Sequence, residues 1–152
     1  MAGGAITMVT LAPELDRAVD ATRLLARNGV VVAVGHTACT LDQARAAVDA
    51  GATGATHLFN AMAPLRHRAP GPILALMDDP RVFVELIFDN VHVHPELAAY
   101  ALTIAGRRGV LVTDAMAATG QPDGEYLLGN LTARSPEVWP PSPAPTRSPA
   151  AR

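Results

Sequence analysis

Segments with the composition of β-strands alternate with segments of helical period along most of this chain. Residues 30–35 (VVVAVG) are a continuous β-branched run, typical of a strand buried on both faces. Residues 14–29 carry apolar side chains at helical spacing and end at Gly29, where helices commonly place a glycine. Five strands separated by helices predict a parallel α/β sheet, either doubly wound or part of a (β/α)8 barrel. The predicted strands are 6–13, 30–35, 53–59, 81–89 and 109–116, and the predicted helices are 14–29, 40–52, 73–79 and 94–109.

Sequence signals also mark two helix starts and a change of composition near the C-terminus. Thr40 and Gln43 fit the capping box that opens a helix, and Pro95 suits the first turn of another. Residues 131–152 contain six prolines and no periodic apolar face, which predicts an irregular, disordered tail. We therefore expect an α/β domain at 1–130 followed by a Pro-rich tail at 131–152.

The composition excludes several classes of function. With 152 residues, 49% of them hydrophobic, the chain has the size and apolar content of one domain with a buried core. A net charge of −2 provides no basic surface for nucleic acid, and no apolar run approaches the ~20 residues of a membrane-spanning helix. Cys39 is the only cysteine, so an intrachain disulfide cannot form, which fits a reducing compartment. We expect a cytoplasmic protein with neither nucleic acid nor membrane as a partner.

Acidic and histidine side chains occur where the predicted strands end, which is the catalytic edge of parallel α/β barrels. An isolated histidine more often bonds nearby backbone than a metal. Because His36 and His57 end consecutive strands, however, their imidazoles can converge on one divalent ion such as Zn or Fe, and we favour a metal site. Asp114 could act beside it as general base and acid, or cap a following helix. The full set is Glu14, His36, His57, Asp89, His92 and Asp114.

A basic cluster lies in the loop after the third predicted strand. Arg66, His67 and Arg68 suit a phosphate or carboxylate of a substrate, although a solvated loop explains them equally well. His92 and His94 are spaced like a metal-binding pair on one strand face, but they follow the expected end of the strand. We therefore assign His92 to substrate contact and His94 to local structure.

Six motifs combine into a pattern shared with a known family. They are TLAPE, VAVGHTACT, TGATHLFNAM, APLRHRAPG, DNVHVHPE and LVTDAMAATGQPDGEYLLG, spread from about Ala5 to Gly129. Together they resemble the N-acetylglucosamine-6-phosphate deacetylases of the amidohydrolase superfamily. The resemblance implies a metal-dependent (β/α)8 barrel that hydrolyses N-acetyl-D-glucosamine 6-phosphate to D-glucosamine 6-phosphate and acetate. It also implies an amino-sugar phosphate as the small-molecule partner and homo-oligomeric full-length relatives.

The resemblance assigns roles residue by residue. His36 and His57 would bind the divalent metal, Zn or Fe. Asp114 would be the catalytic acid/base, which takes a proton from the attacking water and returns one to the leaving amine. Arg68 would meet the substrate phosphate. The remaining substrate contacts would be Asn60, Ala61, Asp89, Asn90, Val91 and His92.

The likeness corresponds to only part of such an enzyme, the fourth to eighth strands of its barrel. The family's metal-binding glutamate, in an E-G-P motif on an earlier strand, is not among these residues, and Glu14 of TLAPE is a different residue. Five strands cannot close an eight-stranded barrel, and two histidines are fewer than the three protein ligands typical of catalytic zinc. We therefore expect the chain to be inactive alone. The alternatives are a non-catalytic remnant and a half-barrel that needs a complementing chain.

Overall fold

The computed structural model describes residues 2–122, 124–129 and 131–134 and divides the chain into two compact units, Met1–Thr113 and Asp114–Arg152. The first unit has the strands β1 (Met8–Leu11), β2 (Val31–Val34), β3 (Gly54–Ala55), β4 (Phe83–Ile87) and β5 (Gly109–Val112) and the helices α1 (Ala18–Arg27), α2 (Leu41–Asp49), α3 (Gly71–Asp78) and α4 (Pro95–Ala105). Each strand pairs in parallel with the next, in the order β1-β2-β3-β4-β5. The predicted parallel βα repeat is confirmed.

One face of this sheet packs against helices and forms the core. Val32 and Val34 of β2 and Val84 and Leu86 of β4 are all buried and join side chains of α2, α3 and α4 in one cluster. Fully burying an aliphatic side chain of this size contributes about 1.5–3 kcal/mol, so this layer dominates the stability of the unit. The helices thereby fix the strands whose C-terminal ends carry the candidate site.

The opposite face of the sheet is open to solvent at the N-terminal ends of the strands in the described residues, whereas Ala33 and Ile87, farther along the same face, are buried. Met8, Val31 and Phe83 lie on this face and are 42%, 45% and 54% exposed. The sequence predicted that residues 30–35 are buried on both faces, and at Val31 that prediction is wrong. The β-branched run of β2 is typical of a strand that is covered on both faces, whereas the described residues supply helices for one face only.

The helix ends follow the sequence signals. The Thr40 side chain accepts a hydrogen bond from the Gln43 amide at 3.2 Å, and the Gln43 side chain accepts one from the Thr40 amide at 2.9 Å, which confirms the capping box. Gly29 has a φ of 75° just after α1. His94 caps α4 by accepting from the Glu96 amide at 3.3 Å, and this confirms its local structural role. No helix in the described ranges is long and apolar enough to cross a membrane.

The second unit contains a hairpin that the sequence patterns did not predict. Strands β6 (Glu125–Leu128) and β7 (Leu131–Arg134) pair antiparallel. Strand β7 lies in the segment predicted as an irregular tail, and residues 135–152 of that tail fall outside the described residues. The two compact units meet in sequence after Thr113, just past β5, the last strand of the parallel sheet. The predicted boundary at 130 stays a prediction.

Candidate active site

The candidate residues lie where the sequence placed them, just beyond the C-terminal ends of the strands. Glu14 follows β1, His36 follows β2, His57 follows β3, and Asp89 follows β4. In the second unit Asp114 comes two residues after the end of β5 and is exposed, and the described residues 115–122 form no helix that it could cap. The alternative of a helix cap at Asp114 is therefore wrong.

The two histidines meet through their Nε2 atoms. The distance between Nε2 of His57 and Nε2 of His36 is 2.9 Å, and the rings cross edge to face at 70° with centroids 4.7 Å apart. His57 is only 5% exposed, whereas His36 is exposed. Without a bound ion, one Nε2 must carry a proton and the other must accept it, because two lone pairs at this distance would repel.

This pair fits two positions in the coordination sphere of a metal. Two nitrogens at about 2.0–2.1 Å from one zinc ion stand about 2.9–3.4 Å apart for N–Zn–N angles of about 90–110°. The observed Nε2–Nε2 distance of 2.9 Å lies at the short end of this range. The described residues bring no group of three or more His, Cys, Asp or Glu side chains together, so they supply two ligands and no third.

The second nitrogen of His57 supports the same interpretation only in part. Its Nδ1 is buried and has no hydrogen-bond partner among the described residues. A histidine that binds metal through Nε2 carries its proton on Nδ1 and usually donates it to an acceptor, which fixes the ring. The acceptor for His57 is therefore missing from the part of the chain that the structure describes, as is the third metal ligand.

Backbone strain concentrates at the predicted site residues. Seven non-glycine residues of the described chain have a positive φ, and five of them were predicted from the sequence to be site residues. Such conformations cost about 1–3 kcal/mol each for most residues and persist only where surrounding contacts hold them. The five are His36 (47°), His57 (32°), Ala61 (49°), Asn90 (64°) and Asp114 (48°).

The turn after β3 is held by Asn60. Its Nδ2 donates to the backbone oxygens of His57 at 3.2 Å and Leu58 at 3.4 Å, and its own amide donates to the His57 oxygen at 3.0 Å. Ala61 follows with its carbonyl bound by the Thr37 amide at 2.9 Å. Asn60 therefore has a structural role in this turn, next to the substrate role predicted for it.

The turn after β4 is organised by Asp89. Its Oδ1 accepts from the amides of Val91 and His92, both at 2.9 Å, and its Oδ2 lies 2.7 Å from Nδ1 of His92. Burial alone would raise the pKa of Asp89, but these hydrogen bonds outweigh it and lower the pKa below its usual value. An ionised Asp89 favours a proton on Nδ1 of His92 and leaves Nε2 of that ring to other partners.

Arg68 lies in the loop between β3 and α3 and lines a cavity of about 460 Å³. Arg66 lines the same cavity, as do Thr40 and Leu41 at the start of α2. Both arginines are exposed. Two guanidinium groups and a helix N-terminus outweigh the one carboxylate in the lining, that of Asp42, and form a positive environment that suits an anion. Within the described residues, no hydrogen bond joins Arg68 or the Asp89 turn to the histidine pair.

Thr37 is the residue of this edge that the sequence patterns missed. It is 3% exposed, and its hydroxyl donates to the carboxylate of Glu14 and accepts from the Cys39 amide at 3.0 Å. The only sequence signal was its position beside His36. Its partner Glu14 lies 23 residues away, a separation at which local patterns carry no information.

Two curated proteins that this chain matches are both deacetylases of amino-sugar phosphates. No protein-family model matches the chain. It is 47% identical over 123 residues to the N-acetylgalactosamine-6-phosphate deacetylase of Escherichia coli O157:H7 and 47% identical over 121 residues to the N-acetylglucosamine-6-phosphate deacetylase of Vibrio furnissii. These matches cover 81% and 80% of this chain and 33% and 30% of the relatives. The chain thus spans about a third of the length of the curated relatives it matches.

A solved structure agrees with these relatives. It is a mutant N-acetyl-D-glucosamine-6-phosphate deacetylase from Mycobacterium smegmatis in complex with N-acetyl-D-glucosamine-6-phosphate, with a TM-score of 0.85 and 53% identity over 87% of this chain and 35% of that chain. The likeness decides between the two architectures left open by the strand order, in favour of part of a (β/α)8 barrel. By sequence and by fold, the chain is similar to about one third of the length of N-acetylglucosamine-6-phosphate deacetylases.

Proposed function

We propose that this chain contributes to a metal-dependent deacetylase that hydrolyses N-acetyl-D-glucosamine 6-phosphate to D-glucosamine 6-phosphate and acetate. The observation that carries the proposal is the convergence of Nε2 of His36 and Nε2 of His57, 2.9 Å apart, just beyond neighbouring strands. Hydrolysis of a stable amide needs an activated water and a polarised carbonyl. The identity to deacetylases of this substrate class supports the choice of bond.

His36 and His57 are the proposed metal ligands. The burial of His57, the crossing angle of the two rings and the strained backbone at both residues bring the two Nε2 atoms together. A divalent ion bound there, Zn or Fe, would polarise the acetamide carbonyl and lower the pKa of water. Two neutral imidazoles suit either ion, and the remaining ligands must come from outside the described residues.

Asp114 is the proposed general base and general acid. As base, its carboxylate takes a proton from the water that adds to the acetamide carbon. As acid, it returns that proton to the sugar nitrogen as the C–N bond breaks, so that the amine leaves neutral together with acetic acid, which loses its proton to the solvent to give acetate. The assignment rests on the TDA segment that follows β5 and on the resemblance of that segment to the family.

The substrate contacts follow the charges along the same edge. Arg68, beside the cavity at the start of α2, is the proposed partner of the phosphate, since a guanidinium binds a phosphate bidentately. Asn60 and Ala61 are proposed to contact the sugar phosphate. The turn from Asp89 through Asn90 and Val91 to His92 is proposed to line the sugar site, with His92 presenting Nε2 because Asp89 holds its Nδ1.

The sugar epimer is the open part of the substrate assignment. The chain is equally identical, at 47%, to a deacetylase of N-acetylgalactosamine 6-phosphate and to one of N-acetylglucosamine 6-phosphate. The Mycobacterium smegmatis complex, at 53% identity, favours the glucosamine sugar. N-acetylgalactosamine 6-phosphate is therefore the second candidate substrate.

A chimera tests the proposal without depending on the length of the chain. Residues 5–129 replace the matching segment of the Mycobacterium smegmatis enzyme, and acetate release is measured from both sugar phosphates. We expect turnover, with the glucosamine substrate preferred. Asp114→Asn should lower kcat by about 10²–10⁴-fold with metal content unchanged. His57→Asn should lower metal content as well.

His94→Asn is the matched control, since His94 only caps α4 and the variant should keep both metal and turnover. A folded, metal-loaded chimera that releases acetate from neither sugar phosphate would overturn the proposal. Unchanged metal content in His57→Asn would refute the ligand assignment. Acetate release by the 152-residue chain alone would show that our expectation of inactivity is wrong.

A further inference from the structure

Thr37 connects three strand-end segments through four hydrogen bonds. Its hydroxyl donates to the carboxylate of Glu14, which follows β1, and accepts from the amide of Cys39 at 3.0 Å. Its backbone amide donates to the carbonyl of Ala61, and its carbonyl accepts from the amide of Ala63, both at 2.9 Å. The ends of β1, β2 and β3 are therefore joined at one buried residue.

Glu14 strengthens this junction with its second oxygen, which accepts from the amide of Ala38 at 2.7 Å. Burial alone would raise the pKa of Glu14, but the hydrogen bonds from the Thr37 hydroxyl and the Ala38 amide outweigh it, so the pKa lies below its usual value. Hydrogen bonds to an ionised carboxylate are shorter and stronger than those between neutral groups. One side chain from the segment after β1 thus binds two successive residues of the segment after His36.

The residues on either side of this junction have strained backbones. His36 precedes Thr37 directly and has a φ of 47°, and Ala61, whose carbonyl binds the Thr37 amide, has a φ of 49°. Residues in this region relax unless surrounding contacts hold them. Thr37 binds the Ala61 carbonyl directly, and Glu14 binds Thr37 and Ala38, the two residues that follow His36.

We propose that Glu14 and Thr37 are positioning residues, a clamp that holds His36 against His57 and fixes Ala61 relative to both. The clamp acts through the backbone, and neither side chain needs to touch substrate or metal. The inference deepens the proposed function and rests on it for the roles of His36 as metal ligand and Ala61 as substrate contact. The geometry between the two rings can be tested without either role.

Thr37→Val is the informative variant, because it keeps the shape of the side chain and deletes the hydroxyl. It leaves one Glu14 oxygen and the Cys39 amide without their partner. Thr37→Ser restores the hydroxyl and should rescue. Thr22→Val is the matched control, since Thr22 is 2% exposed and its hydroxyl donates only within α1, to the Ala18 carbonyl at 2.9 Å.

Two measurements on the full 152-residue chain separate positioning from stability. NMR with labelled histidine detects the through-space cross-peak between the His36 and His57 rings, whose centroids are 4.7 Å apart in the structure. Calorimetry with Zn²⁺ measures metal affinity. We expect Thr37→Val to lose the ring cross-peak and to bind Zn²⁺ about tenfold more weakly, the lower end of the effect of removing an outer partner of a metal ligand. Thr37→Ser and Thr22→Val should retain both signals.

The outcomes are distinct for the clamp and for the metal site. A folded Thr37→Val chain with the wild-type ring cross-peak would overturn the clamp, as would an equal loss in Thr22→Val. If Thr37→Val does not fold, Glu14→Gln, which removes the charge and one acceptor, is measured by the same two readouts against Glu96→Gln on the exposed face of α4. If the wild-type chain binds no Zn²⁺, two histidines alone do not hold the ion, the His57→Asn chimera decides the metal assignment, and the ring cross-peak alone decides the clamp.

Discussion

Replacing Gly35 with alanine tests the layer of side chains directly beneath the histidine pair. Gly35 precedes His36, and the hydroxyl oxygens of Thr10 and Thr56 approach to 2.9 Å across it. An alanine Cβ would lie 2.8 Å from Cγ2 of Thr10 and 2.8 Å from Cβ of Thr56. Carbon atoms in contact prefer about 3.5–4.0 Å, so the ends of β1 and β3 must move apart.

The expected cost follows from these contacts. Inserting a methyl group into a packed layer costs about 1–3 kcal/mol. Separating Thr10 from Thr56 also removes a hydrogen bond worth about 1 kcal/mol. We therefore expect Gly35→Ala to lower the free energy of unfolding by about 2–4 kcal/mol and to widen the gap between the rings of His36 and His57.

Urea unfolding followed by circular dichroism measures the first effect, and the ring cross-peak measures the second. Gly124→Ala is the control, because its Cβ would meet nothing closer than 3.8 Å and its φ is ordinary. Adding Thr10→Ser to Gly35→Ala deletes the clashing Cγ2 and should recover about 1 kcal/mol. The reasoning is refuted if Gly35→Ala costs no more than Gly124→Ala, or if the added Thr10→Ser lowers stability further.

Three further predictions concern stability away from the histidines. Arg108→Met should cost about 2–4 kcal/mol in urea unfolding, since its guanidinium donates to three backbone carbonyls at 2.8–3.0 Å; Arg107→Met, an exposed neighbour, should cost under about 0.5 kcal/mol. The hydrogen bond from Arg81 lowers the pKa of Asp79 from 3.8 to about 2. The ionised Asp79 side chain therefore contributes fully to the stability of the fold above about pH 4, and this contribution is lost as the pH falls to about 2. Asp79→Asn should lack that loss of stability in an acid titration. Thr40→Ala removes the cap of α2 and should lower the free energy of unfolding by about 1 kcal/mol, which thermal unfolding detects as a lower melting temperature.

The sequence predicted the elements whose signals are local. The capping box at Thr40 and the proline at the start of α4 depend on neighbours within a few positions, and the structure confirms both. The helix predicted at 14–29 is present but spans only Ala18–Arg27, because Arg17 has a φ of 59° and lies outside it. The third strand was predicted at 53–59 but ends at Ala55. His57 has a φ of 32°, which takes the chain out of the strand, and no composition signal announces a positive φ at a histidine.

The hairpin was missed for a different physical reason. Residues 125–128 and 131–134 are short and flank a glycine, but the proline-rich residues beyond them dominated the composition of that window. A two-stranded hairpin depends on its turn and on few apolar contacts, so its signal in sequence is weak. Strand β2, in contrast, lies in the β-branched run of residues 30–34, which makes it easy to recognise in the sequence.

The candidate site could be predicted as a set of positions but not as a geometry. Strand ends are readable because parallel strands bring their carboxyl ends to one edge, and this placed His36 and His57 correctly. Their 2.9 Å approach depends on partners distant in sequence: Glu14 holding Thr37, and Gly35 leaving room for Thr10. Such contacts leave no periodic trace in the sequence.

The positive φ angles link these two kinds of information. A residue in a costly backbone conformation must be held by its surroundings. Backbone strain therefore indicates where long-range contacts position a residue as well as stabilise the fold. The two strained residues His36 and Ala61 are both joined to Thr37, His36 as its neighbour in sequence and Ala61 through a hydrogen bond. Thr37 itself is proposed neither to bind metal nor to react. The side chains proposed to bind and react could therefore be predicted from their types and spacing. The residues proposed to position those side chains could be identified only from the backbone conformations in the structure.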